Sequence, residues 1–322
     1  MSSSYPDANQ EKTLLVDEQQ QKPPQWEASD NLKSRFVDGL WVALNTIATI
    51  VIVFMNNTLS DPQLRKSQVL IATWHFAATF LVLLLAATYR RWRLFEAVRI
   101  PIVKILPLSA FFAGFLILNN LSLANNPVGF YQLSKILTTP SVVFINFLLF
   151  RKYIARDKLV AVLITCVGLG LVSVESFKSN LAGTVIAGAA FTTTACYQIW
   201  IGKKIVDLGI DAPQLLLNQS ATAVWLLIPV SLAFDVFPDF GTIPRQTLGF
   251  LFGGGIVASF LNLSQFMIIG RTSALTFNIV SNVKMLAILA LGWYSEGKVF
   301  TALDIVGIVL ALVGAWQYAR KS

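Results

Sequence analysis

The chain has 322 residues, 55% of them hydrophobic and 13% charged, where a soluble domain carries roughly 45–50% apolar and about 25% charged residues. A mean hydropathy of +0.64 assigns most of its length to lipid rather than water, which excludes a water-soluble enzyme of one or two ordinary domains. The formal charge of +8 would point to nucleic acid in a soluble protein; in a membrane protein it can equally report topology, and the placement of the charges decides.

Residues 1–35 are the one sizeable hydrophilic stretch, with Gln19, Gln20, Gln21, Pro23 and Pro24 and six acids against four bases. They predict a disordered tail. The stretch lacks the apolar core of a signal peptide and is too acidic for a transit peptide, so the first membrane helix is expected to target the chain. A bilayer core about 30 Å thick takes about 20 apolar residues per helix. Ten segments fit, at 36–56, 68–88, 102–123, 128–150, 158–175, 181–202, 212–234, 247–269, 273–295 and 300–319. Breakers fall between them: Asp61-Pro62, the run from Arg90 to Arg99, Asn125-Asn126-Pro127, Arg151-Lys152, Asp211 to Pro213, Asp235 to Pro244, and Arg271.

Counting Lys and Arg in alternate loops gives 18 on the side of the tail and 5 on the other. Both termini are therefore expected in the cytosol, and the asymmetry accounts for the positive charge without nucleic acid. The two remaining cations, Lys135 and Lys284, lie inside the fourth and ninth spans, at equivalent places if the chain is two five-helix halves. Because five is odd, the second half must be inverted relative to the first, an arrangement that places substrate at the midplane between halves. The expected organisation is an all-α integral membrane protein: a cytosolic tail at 1–35, one five-helix repeat at 36–176 and its inverted counterpart at 181–319. Asn120-Leu-Ser in the third span echoes Asn262-Leu-Ser in the eighth, each one helix ahead of its lysine.

A lysine at bilayer depth costs about 2.5–3.5 kcal/mol on insertion scales. The usual compensation is an acid, yet all 17 acids fall in the tail, in loops or at span ends, the nearest being Asp38, Glu175 and Glu296. Two buried cations without buried anions are completed by a ligand that brings its own negative charge, which points to phosphate or a similar anion. The alternative is that each ammonium snorkels or donates to carbonyls freed by a kink. Around the first lysine, Tyr131, Lys135 and Thr138 follow helical spacing on one face, with Gln132 and Thr139 beside them. Pro140 cannot donate to the carbonyl of Ile136, so a bend is expected next to Lys135. In the ninth span Asn278, Ser281, Asn282 and Lys284 form a second polar stripe, and Asn119, Asn120, Tyr197, Gln198, Gln214, Asn218, Asn262 and Gln265 add further polar groups. Each could bond a neighbouring helix; together they suggest a water-filled cavity.

The remaining features read as structure. Cys166 and Cys196 are small packing residues. His75 is the one histidine, expected to be satisfied within the bilayer, and it leaves no metal cluster and no catalytic triad. Gly249 and Gly253 form GxxxG, followed by Gly254 and Gly255, which fits helix packing better than phosphate binding because no strand or Lys-Ser/Thr completes a P-loop. The sequons at Asn56, Asn120, Asn218 and Asn262 lie in or against the membrane, where glycosylation is not expected.

The run NNLSLANNPVGFYQLSKILTTP from Asn119 to Pro140 resembles the nucleotide-sugar transporter and triose-phosphate translocator branch of the drug/metabolite transporter superfamily. Trp74-His75-Phe76, Lys203-Lys204, Gln214-Leu-Leu, Thr272 to Thr276 and Asn282-Val283-Lys284 extend the likeness over residues 36 to 320. It implies ten helices in inverted halves, alternating access, and exchange of a phosphorylated metabolite for a smaller phosphorylated counter-substrate, with Lys135 and Lys284 matching the family's two anion-holding lysines. Met285 stands where triose-phosphate translocators have Arg, and LLLNQS (Leu215 to Ser220) and SNVK (Ser281 to Lys284) replace the motifs of GDP-mannose transporters. The pattern is nearest the subgroup that contains plant UDP-sugar transporters.

The function expected from this resemblance is antiport of a nucleotide sugar, foremost a UDP-sugar, against a nucleoside monophosphate across the membrane of the Golgi or endoplasmic reticulum. Lys135, Lys284, Tyr131, Gln132, Asn120, Thr138, Tyr197, Asn218, Asn278 and Asn282 are its candidate binding residues. Its partners are those anions, membrane lipid and a second copy of the chain. No cofactor or metal is expected. Antiport of triose phosphate or phosphoenolpyruvate against phosphate stays open as an alternative. A membrane-embedded enzyme acting on a phosphate-bearing lipid is a third reading, for which the chain offers no acid pair or His cluster as general base.

Overall fold

The computed structural model describes residues 32–58, 64, 66–89, 94–126, 128–173, 181–296 and 301–320, without the side chains at 32–33, 54, 56–58, 128–129, 132–133, 173 and 288–296. Most of the expected tail, the Asp61-Pro62 breaker, Glu175 and the expected junction between the halves at 177–180 lie outside the described residues. Among those described, every regular element is an α-helix: α1 (Leu32–Thr58), α2 (Gln68–Thr88), α3 (Ile102–Asn125), α4 (Val128–Ile136), α5 (Thr138–Phe150), α6 (Arg156–Ser173), α7 (Leu181–Leu208), α8 (Ala212–Phe234), α9 (Arg245–Arg271), α10 (Ala274–Glu296) and α11 (Ala302–Arg320). Helices occupy all ten expected apolar runs, and seven of them are long and apolar enough to cross a membrane: those at Ser34–Val53, Gln68–Thr88, Ile102–Asn125, Leu181–Leu208, Ala212–Phe234, Arg245–Arg271 and Ala302–Arg320.

By its contacts the chain groups into two units, residues up to Leu40 and residues from Trp41 onward. Of the first, residues 34–40 are helical turns with Phe36 and Leu40 exposed. The helix already runs from Leu32, four residues before the expected start, because Leu32 to Arg35 contains no helix breaker.

The second unit holds the bundle. The fourth expected span is two helices, α4 and α5, parted at Leu137. Pro140 has no N–H for the carbonyl of Ile136, and the chain tightens instead: the Leu137 N–H donates to the Ser134 carbonyl at 3.2 Å and the Ser141 N–H to the Leu137 carbonyl at 3.1 Å. α5 closes on Arg151 at φ 50°, with the Arg151 N–H on the Phe147 carbonyl at 3.0 Å and the Lys152 N–H on the Asn146 carbonyl at 3.2 Å.

The most extensive pairings are α6 with α11, α3 with α7, and α2 with both α8 and α9. The α6–α11 seam is backbone against backbone. A Cβ on Gly168 would run into the Ala311 nitrogen and stand 2.6 Å from the Gly307 carbonyl oxygen. The largest core joins α2, α3, α7, α8 and α9 through Phe76, Phe112, Tyr197, Leu215 and Phe266, with Phe76 and Phe112 centroids 4.2 Å apart. A second cluster, Ile136, Leu169, Leu286 and Ala311, ties α4 and α10 to the α6–α11 pair. Phe144, Leu163, Trp225, Phe252 and Trp316 are exposed, the distribution of a helix bundle whose outer face is apolar.

α8 is clasped at both ends. At its start Asp211 and Gln214 form a capping box, while Gln214 Nε2 donates to the Glu96 carbonyl at 2.9 Å. One turn on, Asn218 accepts from the Ile100 N–H at 3.1 Å and donates to the Val98 carbonyl at 2.7 Å. At its end the Asp235 carboxylate accepts the first N–H groups of α2, from Val69 at 3.2 Å and Leu70 at 2.6 Å. A carboxylate there complements the positive end of the α2 dipole.

Candidate anion site

α10 brings the chemistry together, because its polar side chains radiate to three different helices. Lys284 is buried, 8% exposed. Its ammonium donates to Asn45 Oδ1 and to Thr49 Oγ1 at 3.2 Å. Asn45 and Thr49 are one helical turn apart on α1 and therefore face the same way. Asn45 is itself anchored, its Nδ2 donating to Ser264 Oγ at 2.8 Å and to the Leu261 carbonyl at 3.2 Å, both on α9. The Phe277 ring centroid lies 5.4 Å from the ammonium. The partners of this cation are neutral, and Asp304, held by Thr301 at the start of α11, is the one buried acid among the described residues.

Lys135 differs from expectation. Its side chain is exposed rather than buried, with the ammonium 4.4 Å from the Tyr131 ring centroid. Tyr131 and Lys135 share a face of α4 as their spacing predicts. Thr138 differs from Lys135 in burial: it is buried at the start of α5. The paired buried cations of the sequence reading are thus one buried lysine and one exposed lysine. The Gln132 side chain lies outside the described residues.

The other candidates are distributed along the helix contacts. Asn282 donates to Thr139 Oγ1 on α5 at 3.0 Å. Asn278 donates to Gln198 Oε1 on α7 and, at 2.8 Å, to the Ala274 carbonyl. The Tyr197 hydroxyl takes a bond from Gln219 Nε2 at 2.9 Å within the main core. Asn218 serves the Val98 to Ile100 backbone, at the entry to α3. Asn120 is half-buried on α3. A ligand reaching Asn278 or Asn282 would have to share or displace these bonds, which also join α10 to α5 and α7.

Two structural readings change. His75 Nε2 is buried without a hydrogen-bond partner among the described residues, contrary to the expected satisfied histidine. It stands 3.3 Å from where a Gly254 Cβ would be, against a helix backbone whose own groups are already paired. The GxxxG pair also acts unevenly. Gly249 meets nothing within 4 Å, whereas a Cβ on Gly253 would stand 3.2 Å from Met55 Cε; the tighter contact is at Gly255, outside the pair, which would meet Trp74 Nε1 at 2.7 Å, and that indole donates to the Leu251 carbonyl at 3.0 Å. Asn45 and Thr49 were not singled out from the sequence. Their signal was a polar stripe, Asn45, Thr46 and Thr49, inside the first apolar run. Cys166 and Cys196 are free thiols, and no group of three or more His, Cys, Asp or Glu among the described residues is placed to hold a metal.

A family model described as the Triose-phosphate Transporter family matches residues 32–319. The chain belongs to the triose-phosphate transporter family. It is therefore a transporter and not an enzyme. The family assignment spans the whole bundle, α10 and its lysine included. Among its relatives in Arabidopsis thaliana, UDP-rhamnose/UDP-galactose transporter 2 is 30% identical over 293 residues, covering 87% of this chain and 82% of the relative. UDP-xylose transporter 2 is 25% identical over 291 residues, 86% and 79%. A GDP-mannose transporter is 28% identical over 232 residues, 67% and 64%. A solved crystal structure superposes with a TM-score of 0.68 at 11% identity, covering 88% of this chain and 97% of its own, a likeness of fold.

Proposed function

We propose that this transporter is an antiporter that carries a UDP-sugar across an endomembrane, Golgi or endoplasmic reticulum, in exchange for a nucleoside monophosphate. The observation that carries the reading is Lys284, a buried ammonium whose partners are neutral amide and hydroxyl oxygens. Such a site gains most from a ligand that supplies negative charge and strong acceptor oxygens, and phosphate supplies both. Lys135, exposed over Tyr131 beside the break between α4 and α5, is the second phosphate contact. Tyr131, Gln132, Asn120, Thr138, Tyr197, Asn278 and Asn282 shape the rest of the site. Asn218, whose amide holds a loop, is not assigned to it. The choice of a UDP-sugar rests on the UDP-sugar transporters among the relatives.

Ten membrane crossings in two inverted halves, with α4 and α5 together as the fourth, fit the pattern of helix pairing. Exchanging spans one to five with six to ten leaves the α2–α8, α6–α11 and α5–α10 pairings in place and interchanges α2–α9 with α3–α8, whereas the extensive α3–α7 pairing has no counterpart of like extent between α1 and α9 among the described residues. Alternating access is then a rocking of one half on the other about the occupied site.

The test is uptake of radiolabelled UDP-galactose into proteoliposomes of the purified protein, preloaded or not with UMP. Uptake is expected to require internal UMP, and Lys284→Ala and Lys135→Ala are each expected to lower it at least roughly tenfold, the scale of one charge-assisted phosphate contact. Unchanged uptake in both variants removes the assigned roles. Competition by inorganic phosphate rather than UMP transfers the reading to a small phosphate ester.

A further inference from the structure

The hydrogen bonds of Lys284 carry more than an affinity for anions. Its ammonium is bonded to Asn45 and Thr49 on α1, and Asn45 in turn to Ser264 and Leu261 on α9. One side chain thus ties three helices, α1, α9 and α10, and the tie uses the same donors that a phosphate would take. We propose that Asn45 is a positioning residue that latches Lys284 in the empty carrier, so that α1 is released from α10 only when a phosphate draws the ammonium away. This inference rests on the anion-carrier reading above.

The physical argument is competition. An ammonium presents three donors, and inside the bundle each acceptor it keeps is one the ligand must replace. The Asn45 carbonyl oxygen is fixed because the other end of its amide is held by Ser264 and Leu261, so it does not follow the ammonium outward when a ligand binds. The empty state is then stabilised by a contact that the loaded state lacks, and apparent affinity is reduced by the fraction of protein in the latched form. The same contact resists reorientation of the empty carrier, because α1 and α10 cannot part while it is made. Exchange in place of one-way leak follows from this: the loaded protein moves freely and the empty protein is held.

Two variants separate the latch from ordinary packing. Asn45→Ala removes the acceptor, and Asn45→Asp replaces it with an anion of similar size that would bind Lys284 permanently. The readouts are the rise in unfolding temperature of the purified protein with UMP or UDP-galactose, and the ratio of uptake with internal UMP to uptake without it. With Asn45→Ala the ligand-free protein is expected to unfold earlier, the ligand-induced rise to exceed that of wild type, UMP to bind roughly tenfold tighter, and the exchange ratio to fall toward one. With Asn45→Asp the ligand-induced rise is expected to vanish. A merely structural Asn45 would lower the free and loaded forms alike, leaving the ligand-induced rise and the exchange ratio at wild-type values; that result overturns the latch. Should Asn45→Ala not fold, Thr49→Val weakens the same tie and is expected to move both readouts in the same directions, and wild-type values there overturn it equally. If wild type itself shows no rise with UMP, UDP-galactose or inorganic phosphate, the anion-carrier reading falls and the latch falls with it.

Discussion

Lys284 is legible in one dimension and its surroundings are not. A charge inside an apolar run stands out against hydropathy alone, which is why both lysines could be singled out before any fold was known. The partner amide lies 239 positions away, and a neutral Asn in an apolar helix carries the same signal whether it glues helices or holds a cation. Asn218 illustrates the converse. Its polar side chain in lipid suggested ligand contact, yet its amide is engaged by the backbone of Val98, Ile100 and Gln214. Asn218→Ala is therefore expected to act on stability, by about 1–3 kcal/mol for the polar groups it leaves unpaired, and to leave the KM for the carried anion unchanged. Thermal unfolding in detergent beside uptake kinetics checks both halves of that expectation. A raised KM with unchanged stability would return Asn218 to the binding site.

At the scale of the helix, the positions of the apolar runs and most of their breakers were readable because bilayer thickness sets a length that composition reveals. What escaped was how helices meet. The GxxxG motif drew attention to Gly249 and Gly253, while α6 and α11 meet backbone to backbone at Gly168 and the Gly307 to Ala311 stretch, where Gly168 and Gly170 on α6 are not spaced as GxxxG and the small pair on α11 is Gly307 and Ala311. Small residues let backbones touch, but which of them do so depends on crossing geometry that spacing does not encode. A methyl group on Gly168 meets main-chain atoms of the partner helix, which cannot rotate away. Gly168→Ala should therefore cost about 3 kcal/mol, the upper range of overpacking, and lower the unfolding midpoint, while the control Gly249→Ala, with nothing within 4 Å of its new methyl, should leave the midpoint unchanged or raise it by the roughly 0.5–1 kcal/mol that Ala gains over Gly in a helix. The break at Leu137 was foreseen from Pro140; the exposure of Lys135 beside a buried Thr138 was not, because spacing places residues on a face without saying which part of that face the neighbouring helices cover.

For the molecule as a whole, charge bias gives a prediction independent of the site. With 18 Lys and Arg on one side and 5 on the other, tags at the two termini should both react with a membrane-impermeant reagent applied to the cytosolic face of intact vesicles, and neither should react from the lumen. Labelling of one terminus from each side would require an odd number of crossings. The motion proposed for transport must also respect what is bound firmly. The carboxylate of Asp235 and the amides of Gln214 and Asn218 tie α8 of the second half to the entrances of α2 and α3 of the first, so a rocking of the halves pivots at these contacts, and the larger displacement is expected where α1 and α10 meet through Lys284.

The same Asp235 clasp sets a constraint on how the protein is made. Val69 and Leu70 lie 166 and 165 positions before the carboxylate that caps them, so a nascent chain that has emerged only through its second helix has inserted that segment with its entrance still hydrated. The bundle is sealed late, when the ribosome has delivered the stretch after α8, and the early helices must wait in the bilayer as separate, stable rods until then.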